Sequence, residues 1–103
     1  MTPETTLIDS RTQVILVDDD PHLRQALGQT LDLAGLKVVT LADAQGLAER
    51  IEPDWPGVVV SDIRMPGIDG LQLLEHLRGR DQELPVLLIT GHGDVPLAVQ
   101  AMR

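Results

Sequence analysis

Four short apolar runs recur along the chain, and each is followed by a polar stop. Val14-Ile15-Leu16-Val17 ends at Asp18-Asp19-Asp20, and Val58-Val59-Val60 ends at Ser61-Asp62. Val86-Leu87-Leu88-Ile89 ends at Thr90, and a less uniform run covers Leu36–Leu41. Continuous β-branched runs of this length read as buried strands, so strands are expected over 14–17, 36–41, 57–61 and 85–89. The segments between them change period. After Asp20 as N-cap and Pro21 at the first helical position, Leu23, Leu27 and Leu31 recur every four residues. Ala26 and Ala34 share that face, and Gly35 ends the helix. Asp43 is expected to open a helix with Leu47, Ala48 and Ile51 inward, stopped before Pro53. Met65-Pro66-Gly67 reads as a turn, with Gly70 a candidate for positive φ. Asp69 then caps a helix with Leu71, Leu74 and Leu77 inward, closing near Gly79. Asp94 is expected to cap a last helix with Val95, Val99 and Met102 on one face. Met1 to about Arg11 is polar, lacks periodicity and reads as a loose leader.

Strands alternating with helices imply an α/β fold, a doubly wound parallel sheet with right-handed crossovers. In such sheets ligands bind in the crevice at the carboxyl ends of the strands. Asp18, Asp19, Asp62 and Thr90 all fall at such ends. Carboxylates held together suit a divalent cation beside an aspartate that accepts a phosphoryl group.

Asp18-Asp19, then the stretch from Ser61-Asp62 through Met65-Pro66-Gly67 to Asp69-Gly70, then Leu88-Ile89-Thr90-Gly91-His92-Gly93, resembles the receiver domain of bacterial two-component response regulators. The match runs from about Gln13 to Arg103, with the three elements in order, each behind its own strand. The stretch Gly91–Met102 is similar to the receivers of C4-dicarboxylate transport regulators of the NtrC type, which activate transcription with sigma-54. Nitrogen-fixation regulators with a helix-turn-helix output carry a similar stretch. The resemblance implies a flavodoxin-like, CheY-like receiver over 12–103. It implies Asp62 as phosphoacceptor for a phosphoryl group from a sensor histidine kinase, and Mg²⁺, with Mn²⁺ as an alternative, held by Asp18, Asp19, Asp62 and the backbone carbonyl of Arg64. Thr90 would contact the phosphoryl group and act as the switch, and His92 is a further candidate to face the pocket. The implied partners are the kinase, an AAA+ sigma-54 activator with a DNA-binding module as output, and a homodimer partner. The family pattern also has a Lys in a later loop, a fifth strand and a fifth helix. The only lysine is Lys37, on the second strand, so the fold as given is expected to lack that last strand and helix.

Composition narrows the partners. The chain of 103 residues has net charge −8, with 8 Lys and Arg against 16 Asp and Glu. Contacts to nucleic-acid phosphates need basic residues, so direct nucleic-acid binding is not expected. With no cysteine, disulfides and thiolate metal sites are excluded. No membrane-length apolar run is present, and a cytoplasmic protein is the expectation. Trp55 is the only aromatic residue, so the core must be aliphatic. Trp55 itself reads as a lid on a strand end. Two other functions compete with the receiver. A haloacid-dehalogenase-type phosphatase would use Asp18-x-Asp20 and Thr90, but it needs a later Lys and acidic pair and gives the 62–67 stretch no role. An interaction-only pseudo-receiver would bind the cation without being phosphorylated. A receiver is a signalling domain rather than an enzyme with turnover.

Overall fold

A computed structural model of the chain describes residues 8–52, 54–80, 83–89 and 100–102, the last three by their backbone. The elements run β1 (Val14–Val17), α1 (Pro21–Leu33), β2 (Val38–Leu41), α2 (Leu47–Arg50), β3 (Val58–Asp62), α3 (Gly70–Arg80), β4 (Val86–Ile89) and β5 (Gln100–Met102). The sheet order is β2-β1-β3-β4-β5. β1 to β4 pair in parallel, as expected of a doubly wound sheet, and β5 lies antiparallel on β4.

Local chemistry sets the helix ends. The Asp20 side chain accepts from the backbone N–H groups of His22 (2.9 Å) and Leu23 (3.3 Å), capping α1 as expected. Gly35 takes φ +93°, and Leu36 N–H then closes back onto the Leu31 carbonyl at 3.1 Å, an ending that favours glycine. Asp69 and Gln72 cap α3 reciprocally: each backbone N–H donates to the other's side chain, at 3.0 and 2.9 Å.

The main core lies on the sheet face that carries α2 and α3. Ile15, Val17, Val59, Val86 and Leu88 pack there with Leu47, Ala48, Ile51, Leu73 and Leu77. Alternate strand residues point the other way, where α1 packs on β1 and β2. On that side Val58, Val60, Leu87 and Ile89 are only half-buried.

Several expectations are corrected. The inward face of α3 is Gly70, Leu73 and Leu77, while Leu71 is exposed and Leu74 half-buried. Seating of Gly70 against the end of β3 sets that rotation, because its Cβ position lies 2.6 Å from the Asp62 carbonyl. Gly67, at φ +77°, is the positive-φ residue of this region rather than Gly70. On α1, Leu23, Leu27 and Leu31 are half-buried, and Ala26 and Ala34 are exposed. Asp43 does not cap α2: it accepts from Gln45 N–H at 3.0 Å in a turn, and the helix begins at Leu47. Residues 100–102 form a strand rather than the end of a helix. Their pairing gives backbone partners to the outer edge of β4, which would otherwise be a bare edge. The expected cap Asp94 and the rest of that helix lie outside the described residues. So do residues 1–7 of the expected leader, while Asp9 organises a turn over 9–12 by accepting from Arg11 N–H (2.8 Å) and Thr12 N–H (3.2 Å).

Candidate functional site

β1 and β3 are neighbours, with Val17 opposite Ser61. One step further on each strand come Asp18 and Asp62. Burial takes both carboxylates out of water: Asp18 is 0 % and Asp62 1 % exposed. Asp19 is exposed beside them, and one carboxylate oxygen from each of Asp18, Asp19 and Asp62 lies within 4.8 Å of the others.

The main chain satisfies only part of this cluster. Asp18 Oδ1 accepts from Asp20 N–H at 2.9 Å, and Asp62 Oδ1 accepts from Arg64 N–H at 3.3 Å. Asp18 Oδ2 and Asp62 Oδ2 are buried with no hydrogen-bond partner among the described residues. Burial pushes the Asp18 carboxyl above its ordinary range. The Asp20 N–H opposes that, and the negative charges of Asp62, Asp19 and Asp20 reinforce it. A buried polar atom left unpartnered costs on the order of 1–3 kcal/mol, so two of them in one cluster favour a ligand there. Oxygen donors crowded in this way fit a hard divalent cation.

The backbone of Asp62 is held tightly. Ser61 Oγ donates to the Asp62 carbonyl at 2.9 Å, and Ile63 N–H donates to Ile89 of β4 at 2.8 Å. Gly70 N–H donates to the Ile63 carbonyl at 2.9 Å, and no side chain fits at Gly70 because the Asp62 carbonyl fills that space. Arg64 is exposed two residues beyond Asp62. The structure thus brings together Asp18, Asp19 and Asp62, with the Arg64 N–H beside Asp62. Thr90 and His92 lie outside the described residues. Sequence reasoning missed the supports given by Ser61, Gly70 and Arg24, whose guanidinium donates to the Asp18 carbonyl at 2.7 Å. The polar Ser61 inside an apolar strand and a cation, Arg24, in the first turn of α1 were the visible signals.

A parallel doubly wound sheet with buried acids at the carboxyl ends of two adjacent central strands defines a class of domains that act at the strand ends. Within that class, residues 14–103 match the model of the response regulator receiver domain. The chain is 74% identical over 95 residues to the C4-dicarboxylate transport transcriptional regulatory protein DctD of Pseudomonas aeruginosa, covering 92% of this chain and 21% of that protein. It is 50% identical over 90 residues to DctD of Rhizobium meliloti, covering 87% of this chain and 20% of that protein. Among solved structures, the crystal structure of FixJ-N superposes with a TM-score of 0.69 at 36% identity, covering 87% of this chain and 70% of that one. The solution structure of the NtrC receiver domain does so with a TM-score of 0.67 at 40% identity, covering 84% and 69%. The chain belongs to the response regulator receiver domain family, the signalling module of two-component systems. It spans about a fifth of the length of the two DctD proteins. Among the described residues, no helix is long and apolar enough to cross a membrane.

Proposed function

We propose that Asp62 accepts a phosphoryl group from a sensor histidine kinase and that Asp18, Asp19 and Asp62, with the Arg64 carbonyl, hold Mg²⁺ for that transfer. The observation that carries this reading is the pair of buried carboxylate oxygens on Asp18 and Asp62 that have no partner among the described residues. Asp62 is the nucleophile because its carboxylate is the less committed of the two. Among the described residues its one hydrogen bond is the 3.3 Å contact from Arg64 N–H, whereas Asp18 is tied at 2.9 Å. An Asp62 oxygen attacks phosphorus, the P–O bond forms as the P–N bond of the donor phosphohistidine breaks, and the imidazole leaves with the bonding pair. Two carboxylates about 4 Å apart repel by roughly 4 kcal/mol at an effective dielectric near 20, and an incoming phosphate adds to that. The cation supplies the neutralising charge. The protein's share is positioning, as in phosphoryl transfer generally. Thr90 follows directly on Ile89, the register partner of Asp62, and its hydroxyl is proposed to meet a phosphoryl oxygen.

The likeness to the DctD proteins supports a further step. The full-length protein is proposed to be a cytoplasmic regulator of C4-dicarboxylate transport genes, acting through a sigma-54 activator and DNA-binding output and dimerising with a second copy. No turnover of substrate is proposed.

Acetyl phosphate with Mg²⁺, followed by intact mass measurement of the full-length protein, tests the site. One phosphoryl group per chain is expected, absent in Asp62→Asn. An adduct that persists in Asp62→Asn would sink the assignment. Sustained phosphate release would favour the phosphatase, and cation binding without any adduct the pseudo-receiver.

A further inference from the structure

Arg24 breaks a local rule. It is the fourth residue of α1, in a first turn that contains no acidic residue, and a cation there opposes the helix dipole. A residue that violates local preference marks a place where function or tertiary structure has set the choice. Its contacts show which. The Arg24 backbone N–H donates to the Asp20 carbonyl at 2.9 Å, and its guanidinium reaches back to the Asp18 carbonyl at 2.7 Å. The first contact is the ordinary opening bond of the helix; the second, from the side chain, ties the helix to the start of the Asp18-Asp19-Asp20 loop. β2 holds the same loop from the other side, through Asp18 N–H to the Leu41 carbonyl at 3.1 Å. Between these anchors the Asp18 carboxylate is fully buried and Asp19 is exposed, with an oxygen of each close to Asp62.

We propose that Arg24 is a positioning residue of the cation site: its guanidinium, bound to the Asp18 carbonyl, holds the acidic loop so that Asp18 and Asp19 face Asp62. The inference rests on the reading of these three acids as a cation site. Arg24 touches neither the cation nor the phosphoryl group, and acts through the backbone of Asp18. The proposal has a sign that charge alone would reverse. Removing a positive charge beside a cation site should tighten cation binding, whereas releasing the loop should weaken it.

Mn²⁺ binding to the whole chain, read from loss of the free-ion electron paramagnetic resonance signal, tests this. Trp55, buried at the opposite end of the sheet, reports folding independently through its emission. Arg24→Ala is expected to lose roughly tenfold in Mn²⁺ affinity, in the range seen when partners of metal ligands are removed, with Trp55 emission unchanged. Arg24→Lys, which keeps a donor on a long stem, should recover part of that loss. Parent-like or tighter Mn²⁺ binding by Arg24→Ala overturns the proposal. If Arg24→Ala shifts the Trp55 emission, Arg24→Gln decides, since its shorter side chain cannot span to Asp18, and parent-like affinity there overturns the proposal equally. A parent protein that binds no Mn²⁺, or an Asp19→Asn variant that binds as well as the parent, would instead remove the cation site on which the inference stands.

Discussion

Both ends of the sheet bury polar groups, and they treat them in opposite ways. At the end where the strands begin, Trp55 closes over the sheet and its indole N–H donates to the Thr12 carbonyl at 2.9 Å. Thr12 is itself buried, and its hydroxyl accepts from Asp9 N–H at 3.2 Å. Gly57 lies under the Trp55 ring, which leaves no room for a Cβ. The polar groups of this lid have partners within the chain. At the end where β1 and β3 finish, two carboxylate oxygens are buried without any among the described residues. The first arrangement closes off the core and contributes stability. The second costs stability until a further group completes it. The difference separates a structural end from a chemical one without reference to any relative.

The strongest way to break this comparison is to remove the lid. Trp55→Ala should cost roughly 3–5 kcal/mol, as for other large buried aromatic residues. Urea unfolding followed by far-ultraviolet circular dichroism would measure it, and a loss well under 1 kcal/mol would show that the lid is ornamental.

The opposite sign is expected at the other end. Asp18→Asn should stabilise the cation-free protein by roughly 1–2 kcal/mol, because it removes a buried charge whose Oδ2 has no partner among the described residues. Mg²⁺ should raise the melting temperature of the parent, and the same change should abolish that rise. The gain has a pH signature. The folded-state pKa of Asp18 is raised above the ordinary 3.8, so protonation favours the folded parent. That contribution is fully present below 3.8 and is lost as pH rises through the raised folded value. The advantage of Asp18→Asn over the parent should therefore be full at neutral pH and shrink on acidification. An advantage that is flat with pH would mean that the Asp18 charge is not the cause.

Trp55→Phe sharpens the contrast more gently. It keeps the ring and leaves the Thr12 carbonyl without its indole partner, at a cost of roughly 1–2 kcal/mol. Mn²⁺ affinity should not change, because the two ends are independent; a parallel loss of affinity would show that they are coupled. Asp20→Asn should have the smallest effect, a few tenths of a kcal/mol, since asparagine caps a helix as well as aspartate. It should leave Mn²⁺ binding nearly intact. A loss as large as that of Asp19→Asn would make Asp20 a ligand rather than a cap.

What the sequence determined by itself is the set of strand ends and the acids on them. The apolar runs of β1 and β3 are short-range signals, and a carboxylate directly after such a run lands at the carboxyl end of its strand whatever surrounds it. The cap at Asp20 and the stop at Gly35 are legible for the same reason, because their partners lie within a few residues. The rotation of α3 was not legible. Leu71, Leu73, Leu74 and Leu77 offer two overlapping helical faces, and the close seat of Gly70 against Asp62 selects the one through Leu73. Nor was the strand at 100–102, where the open edge of β4 overrides an apolar spacing suited to a helix. The depth of burial of Asp18 and Asp62, the two oxygens left without partners and the reach of Arg24 to the Asp18 carbonyl were also settled only in three dimensions. Each depends on which strands and helices become neighbours, and that follows from how the whole chain buries its apolar surface rather than from any one segment.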